Sequence, residues 1–267
     1  MSASILSEIR KLRSTRLWWI LLLCMVLAVG LMTAFLGFAF AFAGDVSGNG
    51  TAEPSDSIQT ARMIYALPIS FGYVFPVILG ALAVTAEFRH RTIDTTLLLQ
   101  PSRVKVIAAK FVAVVPFALV YAVAAVVTGV AIGAGALALA GKPTGLDQAD
   151  VWQTVGMGVL ALTAWGLVGV GFGSAITNQI AVIVVLLGWT QLVEPLLRVA
   201  FGFFERLQGV GRFLPGAAGE AMAGASFYSA TGAADLLSPW AGFAVLLGYA
   251  AVAGVIGWLI TFRRDIA

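Results

Sequence analysis

Long apolar runs separated by short polar segments organise this chain. Residues 17–43 contain no charge until the polar stretch 44–59 begins, and as a helix they reach about 40 Å at ~1.5 Å per residue. A second run covers 61–86 and carries Pro68 and Pro76, each of which removes a backbone donor and predicts a kink. A third covers 107–140, longer than a bilayer needs, which predicts tilt or an extension beyond the hydrocarbon. A short turn around Lys142-Pro143 leads into residues 151–193, again without a charge. One helix of that length overshoots the ~30 Å hydrocarbon core about twofold. The polar Ser174-Ala-Ile-Thr-Asn-Gln179 therefore divides it into spans at 151–173 and 180–200. The last run is 240–262 and ends at Arg263-Arg264-Asp265. The pattern predicts an all-α integral membrane protein with six transmembrane helices.

Two segments fall outside simple spanning. In residues 4–16, Ile5, Leu6, Ile9 and Leu12 recur at helical spacing among Glu8, Arg10, Lys11 and Arg13. This predicts an amphipathic interfacial helix with its cations toward anionic headgroups. Residues 201–238 have apolar patches at Phe201, Phe203, Phe204, Phe213 and Leu214, broken by Gly209, Gly211, Pro215, Gly216, Gly219 and Gly224. Irregular backbone at membrane depth must be buried in protein or line a wet cavity. The expectation is an outer-leaflet re-entrant segment between helices 5 and 6.

Composition agrees with the pattern. The 267 residues are 60% apolar and only 11% charged, against roughly a quarter charged in soluble domains. Most of the 16 Lys and Arg cluster at 10–16, 89–110 and 263–264, all on one side of a six-span chain. Arg62, Lys142, Arg198, Arg206 and Arg212 fall on the other side or near it. Positive loops stay inside, so both termini are expected in the cytoplasm of a cell inner (plasma) membrane. Ala41-Phe42-Ala43 resembles a signal cleavage site, but the preceding run is longer than a signal core of about 7–15 residues, so an uncleaved first span is expected.

Candidate chemistry is sparse. His90 is the only histidine and Cys24 the only cysteine, so neither a multi-histidine metal site nor an intrachain disulfide is expected. Gly169-Val-Gly-Phe-Gly173 lacks the strand–turn–helix setting of a dinucleotide loop. It reads as close helix packing, like Gly129-Val-Ala-Ile-Gly133. No phosphate-cradling G-x-x-x-x-G-K-[ST] occurs, so no ATP hydrolysis and no cofactor are expected in this chain. Glu194 and Arg198, four apart, are placed to form an ion pair at the outer end of span 5.

The informative stretch is Glu87-Phe-Arg-His-Arg-Thr-Ile-Asp-Thr-Thr-Leu-Leu-Leu-Gln-Pro-Ser-Arg103, running on to Lys110. Residues 92–100 predict a short helix with Ile93, Leu97 and Leu98 on one stripe, stopped by Pro101. A basic loop holding an apolar stripe suits docking into a groove of another protein. Glu87, at a span end, needs a cation, and Arg89, Arg103 and Lys110 are the candidates.

Glu87, Arg89, Thr92, the Leu97–Leu99 turn, Pro101, Ser102, Arg103 and Lys110 together resemble the loop of ABC-2 type permeases. These are membrane subunits of bacterial ATP-binding cassette exporters. The basic start, the six spans and the broken segment before the last one resemble that family as well. One position departs, because the family commonly carries Gly before the Thr and here stands Arg91. The resemblance implies a non-catalytic permease in which residues 87–106 couple to a separate nucleotide-binding ATPase that holds ATP and magnesium. It implies a second permease copy or a sister permease, a lipid bilayer, and no nucleic acid. It implies export of a hydrophobic or amphipathic compound such as a drug, peptide or lipid, through a cavity. Thr128 to Gly133 and the aromatic faces of spans 1, 2 and 5 are candidates to line that cavity. The competing readings are an ion-coupled secondary transporter, which calls for acids at mid-membrane, and a non-transporting assembly or sensor protein.

Overall fold

The computed structural model describes residues 1–46, 54–202, 209–224 and 236–262. All regular structure among them is helical, and six stretches are long and apolar enough to cross a membrane. Helix α1 (Ser2–Ser14) precedes α2 (Leu17–Val46), the first span. The second span is two helices, α3 (Pro54–Gly72) and α4 (Val74–Arg89). A short α5 (Ile93–Leu99) leads to α6 (Arg103–Leu139) and then α7 (Ala149–Ala175). The fifth span is α8 (Gln179–Gly188), a π turn (Trp189–Val193) and α9 (Glu194–Gly202). Helix α10 (Pro215–Ala223) is short, and α11 (Pro239–Gly257) forms the last span with a π turn at Trp258–Phe262.

Lipid as solvent inverts the usual pattern of exposure. On α2, Leu23, Leu27, Leu31 and Phe35 recur every fourth residue and stand outward, while Met25, Val29 and Thr33 are buried. On α6 the outward residues are Val112, Val115, Leu119, Val123 and Val127, and the inward ones are mostly Ala and Gly. Large residues meet lipid and small ones meet neighbouring helices, because hydrocarbon offers no hydrophobic incentive for large side chains to hide.

Helix α7 is the hub, packed against α4, α6 and α11. Its glycines permit that approach. A Cβ on Gly169 would lie 2.1 Å from the Val77 carbonyl oxygen, and one on Gly80 would lie 2.0 Å from that of Gly166. Gly129 and Gly133 on α6 likewise receive Pro68 and Ile64 of α3, so this segment is a helix contact.

The expected interruption at residues 174–179 is a break between helices. Asn178 caps α8, its Oδ1 accepting from the Ile180 and Ala181 N–H groups at 3.0 Å. At Pro76 the expected kink is a boundary between helices, since a new helix starts at Val74 with Tyr73 as its N-cap. Pro76 has no N–H for the Gly72 carbonyl, so the ladder is interrupted there, while Pro68 stays inside α3. Ser47–Glu53 of the polar loop, Phe203, Phe204 and Arg206 of the broken segment, and the terminal Arg263, Arg264 and Asp265 lie outside the described residues.

The glycine contacts set a test of packing. Gly169→Ala should destabilise the protein by about 1–3 kcal/mol, the usual cost of overpacking. Gly156→Ala, which meets open space, should leave it unchanged. Thermal unfolding in detergent distinguishes them.

Candidate functional site

The end of α4 is built by backbone geometry. The Thr92 N–H bonds the Glu87 carbonyl at 2.9 Å and the Arg91 N–H bonds that of Phe88 at 3.3 Å. This paired closure needs a left-handed residue between, and Arg91 takes φ 55°. At the end of α6 the same closure uses Gly141, at φ 66°. The one departure from the family pattern thus occupies the position whose backbone favours glycine. The turn sends the chain into α5, whose Ile93 is buried against Val84, Val106 and Ile107.

Within the bundle end, four charges converge. The Glu87 Oε1 accepts from Lys11 Nζ at 2.6 Å and from Lys110 Nζ at 2.9 Å. Glu8 completes the square, with Oε1 2.6 Å from Lys11 and Oε2 2.7 Å from Lys110. Lys110 is fully buried and also donates to the Ala83 carbonyl at 3.0 Å. The two carboxylates balance the two ammonium groups, so the cluster carries no net formal charge. That balance is what lets Glu8, Glu87 and Lys110 be buried, while Lys11 keeps part of its side chain at the surface. Burial disfavours the charged Lys11, but hydrogen bonds and attraction from Glu8 and Glu87 outweigh it and hold its pKa above the ordinary 10.5.

The cluster joins α1, α4 and α6, and α5 is tied to it. Lys11 Nζ also donates to Thr96 Oγ1 at 3.2 Å, and Gln100 Nε2 donates to Ser4 Oγ at 3.1 Å. A groove of about 510 Å³ runs between α1 and α5, lined by Ser4, Ser7, Thr92, Thr95, Thr96 and Leu99 among others.

Several expectations change. Lys110 does meet Glu87, but Arg89 instead donates to Gln179 Oε1 at 3.1 Å, bridging α4 to α8. Arg103 begins α6, half-buried, and Pro101 follows α5 in the open. The apolar stripe of α5 divides, with Ile93 and Leu97 packed inward and Leu98 and Leu99 81% and 89% exposed. Leu98 lies five residues from Ile93, about 140° round the helix, so the two cannot share a face. On α1, Arg10 and Arg13 are exposed and Ile5 and Ile9 are half-buried, while Lys11 turns its ammonium to Glu8 and Glu87 with its side chain 42% exposed. Glu8 and Thr96 were not anticipated as partners. Their only sequence signal is the i,i+3 spacing of Glu8 and Lys11.

At the other end, Glu194 and Arg198 form the expected pair, with Oε1 2.6 Å from Nη2. Glu220 of α10 joins them, 2.8 Å from Nη1.

Among the described residues the regular structure is helical, and six stretches are long and apolar enough to cross a membrane. Residues 4–188 match the family described as ABC-2 family transporter protein, and the chain belongs to that family. Its membrane proteins are non-catalytic permease subunits that generally partner with nucleotide-binding ATPases. No curated protein matches the chain. The matched stretch holds all four members of the Glu8–Lys11–Glu87–Lys110 cluster.

Two measurements follow from this geometry. Lys110→Met strands two buried carboxylates with only Lys11 between them and should cost about 3–5 kcal/mol, whereas Arg91→Gly relieves the left-handed strain and should add about 1 kcal/mol. Thermal denaturation of purified variants reads both. The raised pKa of Lys11 means its contribution is present below pH 10.5 and is lost as pH rises through the higher folded value. The stability difference between wild type and Lys11→Met should therefore persist through neutral and mildly alkaline pH and close only in stronger alkali.

Proposed function

We propose that this chain is the membrane subunit of an ATP-driven exporter in which the loop joining α4 to α6 receives force from a separate ATPase. The observation that supports this most is the Glu8–Lys11–Glu87–Lys110 cluster. It makes α1, α4, α5 and α6 one mechanical unit beneath the bundle. Leu98 and Leu99, exposed beside it, offer an apolar contact for a groove on the ATPase. Closure of the ATPases on ATP pushes α5. The push reaches α4 and α6 through the ion cluster and passes to α7 through the glycine contacts.

The remaining assignments rest on the same reading. Both termini and the α5 loop face the cytoplasm of a bacterial inner membrane, as the Lys and Arg distribution favours. Helix α1 lies along the inner surface, with exposed Arg10 and Arg13 toward anionic lipid. Helix α10 is the buried part of a re-entrant segment, held by α7 and α11. The outward apolar faces of the spans accept lipid and a second permease copy or sister permease. Glu194 is bonded by Arg198 and by two backbone N–H groups, which favours a structural charge over the titrating acid that an ion-coupled carrier uses.

Co-expression with its ATPase tests the reading. Leu98→Asp and Leu99→Asp should reduce recovery of the complex, because each puts a charge into an apolar contact. Glu87→Ala should retain the complex but lower ATP-dependent transport in vesicles at least about tenfold, since the docking face is intact and the linkage is not. Wild-type transport by Glu87→Ala, with both aspartate variants assembling fully, would overturn the assignment.

A further inference from the structure

A cavity of about 410 Å³ opens within the half of the bundle away from the α5 loop. This is within the size range of small-molecule sites. Its walls are Leu36 and Phe40 of α2, α3 from Met63 to Phe71, Trp165 of α7, the π turn of the fifth span, and α10. The π turn has a local cause. Pro195 lacks the N–H that would bond the Gln191 carbonyl, and the Glu194 N–H reaches five residues back to the Trp189 carbonyl.

The charged residues of the wall are engaged within the protein. Glu194 Oε1 accepts from Arg198 Nη2 at 2.6 Å and from the Ala217 N–H at 2.8 Å, and its Oε2 accepts from the Gly216 N–H at 2.9 Å. Arg198 donates from Nε and Nη2 to Glu194 and from Nη1 to Glu220. Arg198 and Glu220 each make a further interaction besides these. A charged ligand would give up its hydration here without meeting an uncommitted counter-charge.

Most uncharged polar groups of the wall are spent as well. Thr190 Oγ1 donates to the Leu186 carbonyl at 2.8 Å, and Gln191 Nε2 donates to the Tyr73 hydroxyl at 3.1 Å. Trp165 differs. It is 1% exposed and its ring stacks on Tyr73 at 4.6 Å, yet its indole N–H bonds no described residue. A buried indole N–H usually has a partner. The nitrogen lies against Gly219 of α10, another wall residue, where an added Cβ would stand 2.7 Å from Nε1. Any larger residue there would press on the indole nitrogen, so glycine keeps the donor open.

We propose that this cavity binds an uncharged aromatic compound with one acceptor oxygen. The oxygen takes the Trp165 Nε1–H, and the rings lie against Met63, Phe71 and Leu36. The unpartnered donor calls for an acceptor, the engaged charges exclude an ion, and the apolar and aromatic walls suit rings. The inference rests on the permease reading only for making such a compound cargo. Binding itself is independent of that reading.

Benzophenone is the probe, since it is neutral, carries one carbonyl and attaches to nearby C–H groups on illumination. Purified full chain in detergent, without any ATPase, should be labelled saturably, with the label mapping by mass spectrometry to Met63, Phe71 or Leu36. Benzhydrol should compete, and diphenylmethane, the same skeleton without oxygen, at least about tenfold more weakly. The carboxylate and trimethylammonium derivatives of benzophenone should both label at least about tenfold less well than the parent. Trp165→Phe keeps a ring and removes the donor. It should weaken saturable labelling about tenfold and erase the preference for benzhydrol over diphenylmethane. Should that variant fail to fold, Ser70→Trp, which fills the cavity and leaves Trp165 in place, should abolish saturable labelling.

Label spread without saturation along the outward faces of the spans would overturn the proposal. So would equal competition by benzhydrol and diphenylmethane, a charged derivative that labels as well as the parent, or unchanged labelling in a folded Trp165→Phe or Ser70→Trp variant. Saturable labelling of a chain that assembles with no ATPase would leave the site standing and remove the exporter reading. An intact complex whose cavity takes no label would do the reverse.

Discussion

An ammonium group with no exposed surface, that of Lys110, dictates how one end of this molecule is assembled. Left alone in such surroundings, a charge costs several kcal/mol, and the protein answers it with carboxylates from two other helices. Glu87 comes from the end of α4 and Glu8 from α1, which also packs on α6. The second ammonium, Lys11, is then required to balance the second carboxylate. One buried charge therefore recruits three more, and the four together decide where the N-terminal helix docks. The net gain in stability from such a cluster is small compared with an apolar core of equal size. What it supplies is position, because opposite charges in this geometry tolerate little displacement.

Much of the architecture was legible in the sequence, for a reason particular to lipid. A backbone in hydrocarbon must satisfy its own hydrogen bonds, so long apolar runs leave helices as the available form. The division at residues 174–179 was legible as well, since Asn178 is a capping residue in an otherwise apolar stretch. The partition of the second span was less so. Two prolines stand there and each removes a ladder bond, yet only one coincides with a helix boundary. Pro68 stays inside α3 facing Gly129, while Pro76 falls in the first turn of α4.

The site was legible by half. Glu87 at a span end announced the need for a cation, and Lys110 was among the candidates. That Glu8 and Lys11 would complete the arrangement was not readable, because a pairing across 76 residues is settled by how three helices meet. Charges on α1 were equally suited to headgroups, and periodicity does not separate those two uses. The apolar stripe of α5 shows a different limit. Three leucines in succession span most of a helix circumference, so some must face outward. Arg91 carried more information than its residue type suggests, because its place in the family pattern marks the left-handed turn that ends α4.

The walls of the cavity are held unequally. The second and fourth spans are the most enclosed, with 72% and 61% of their apolar windows buried, while the first and fifth have 28% and 22%. The enclosed pair supplies Tyr73 and Trp165, and the loosely held pair supplies Leu36, Phe40 and the π turn. Two sides of the chamber are thus braced by the chain's own helices, and two depend for support on whatever surrounds the protein.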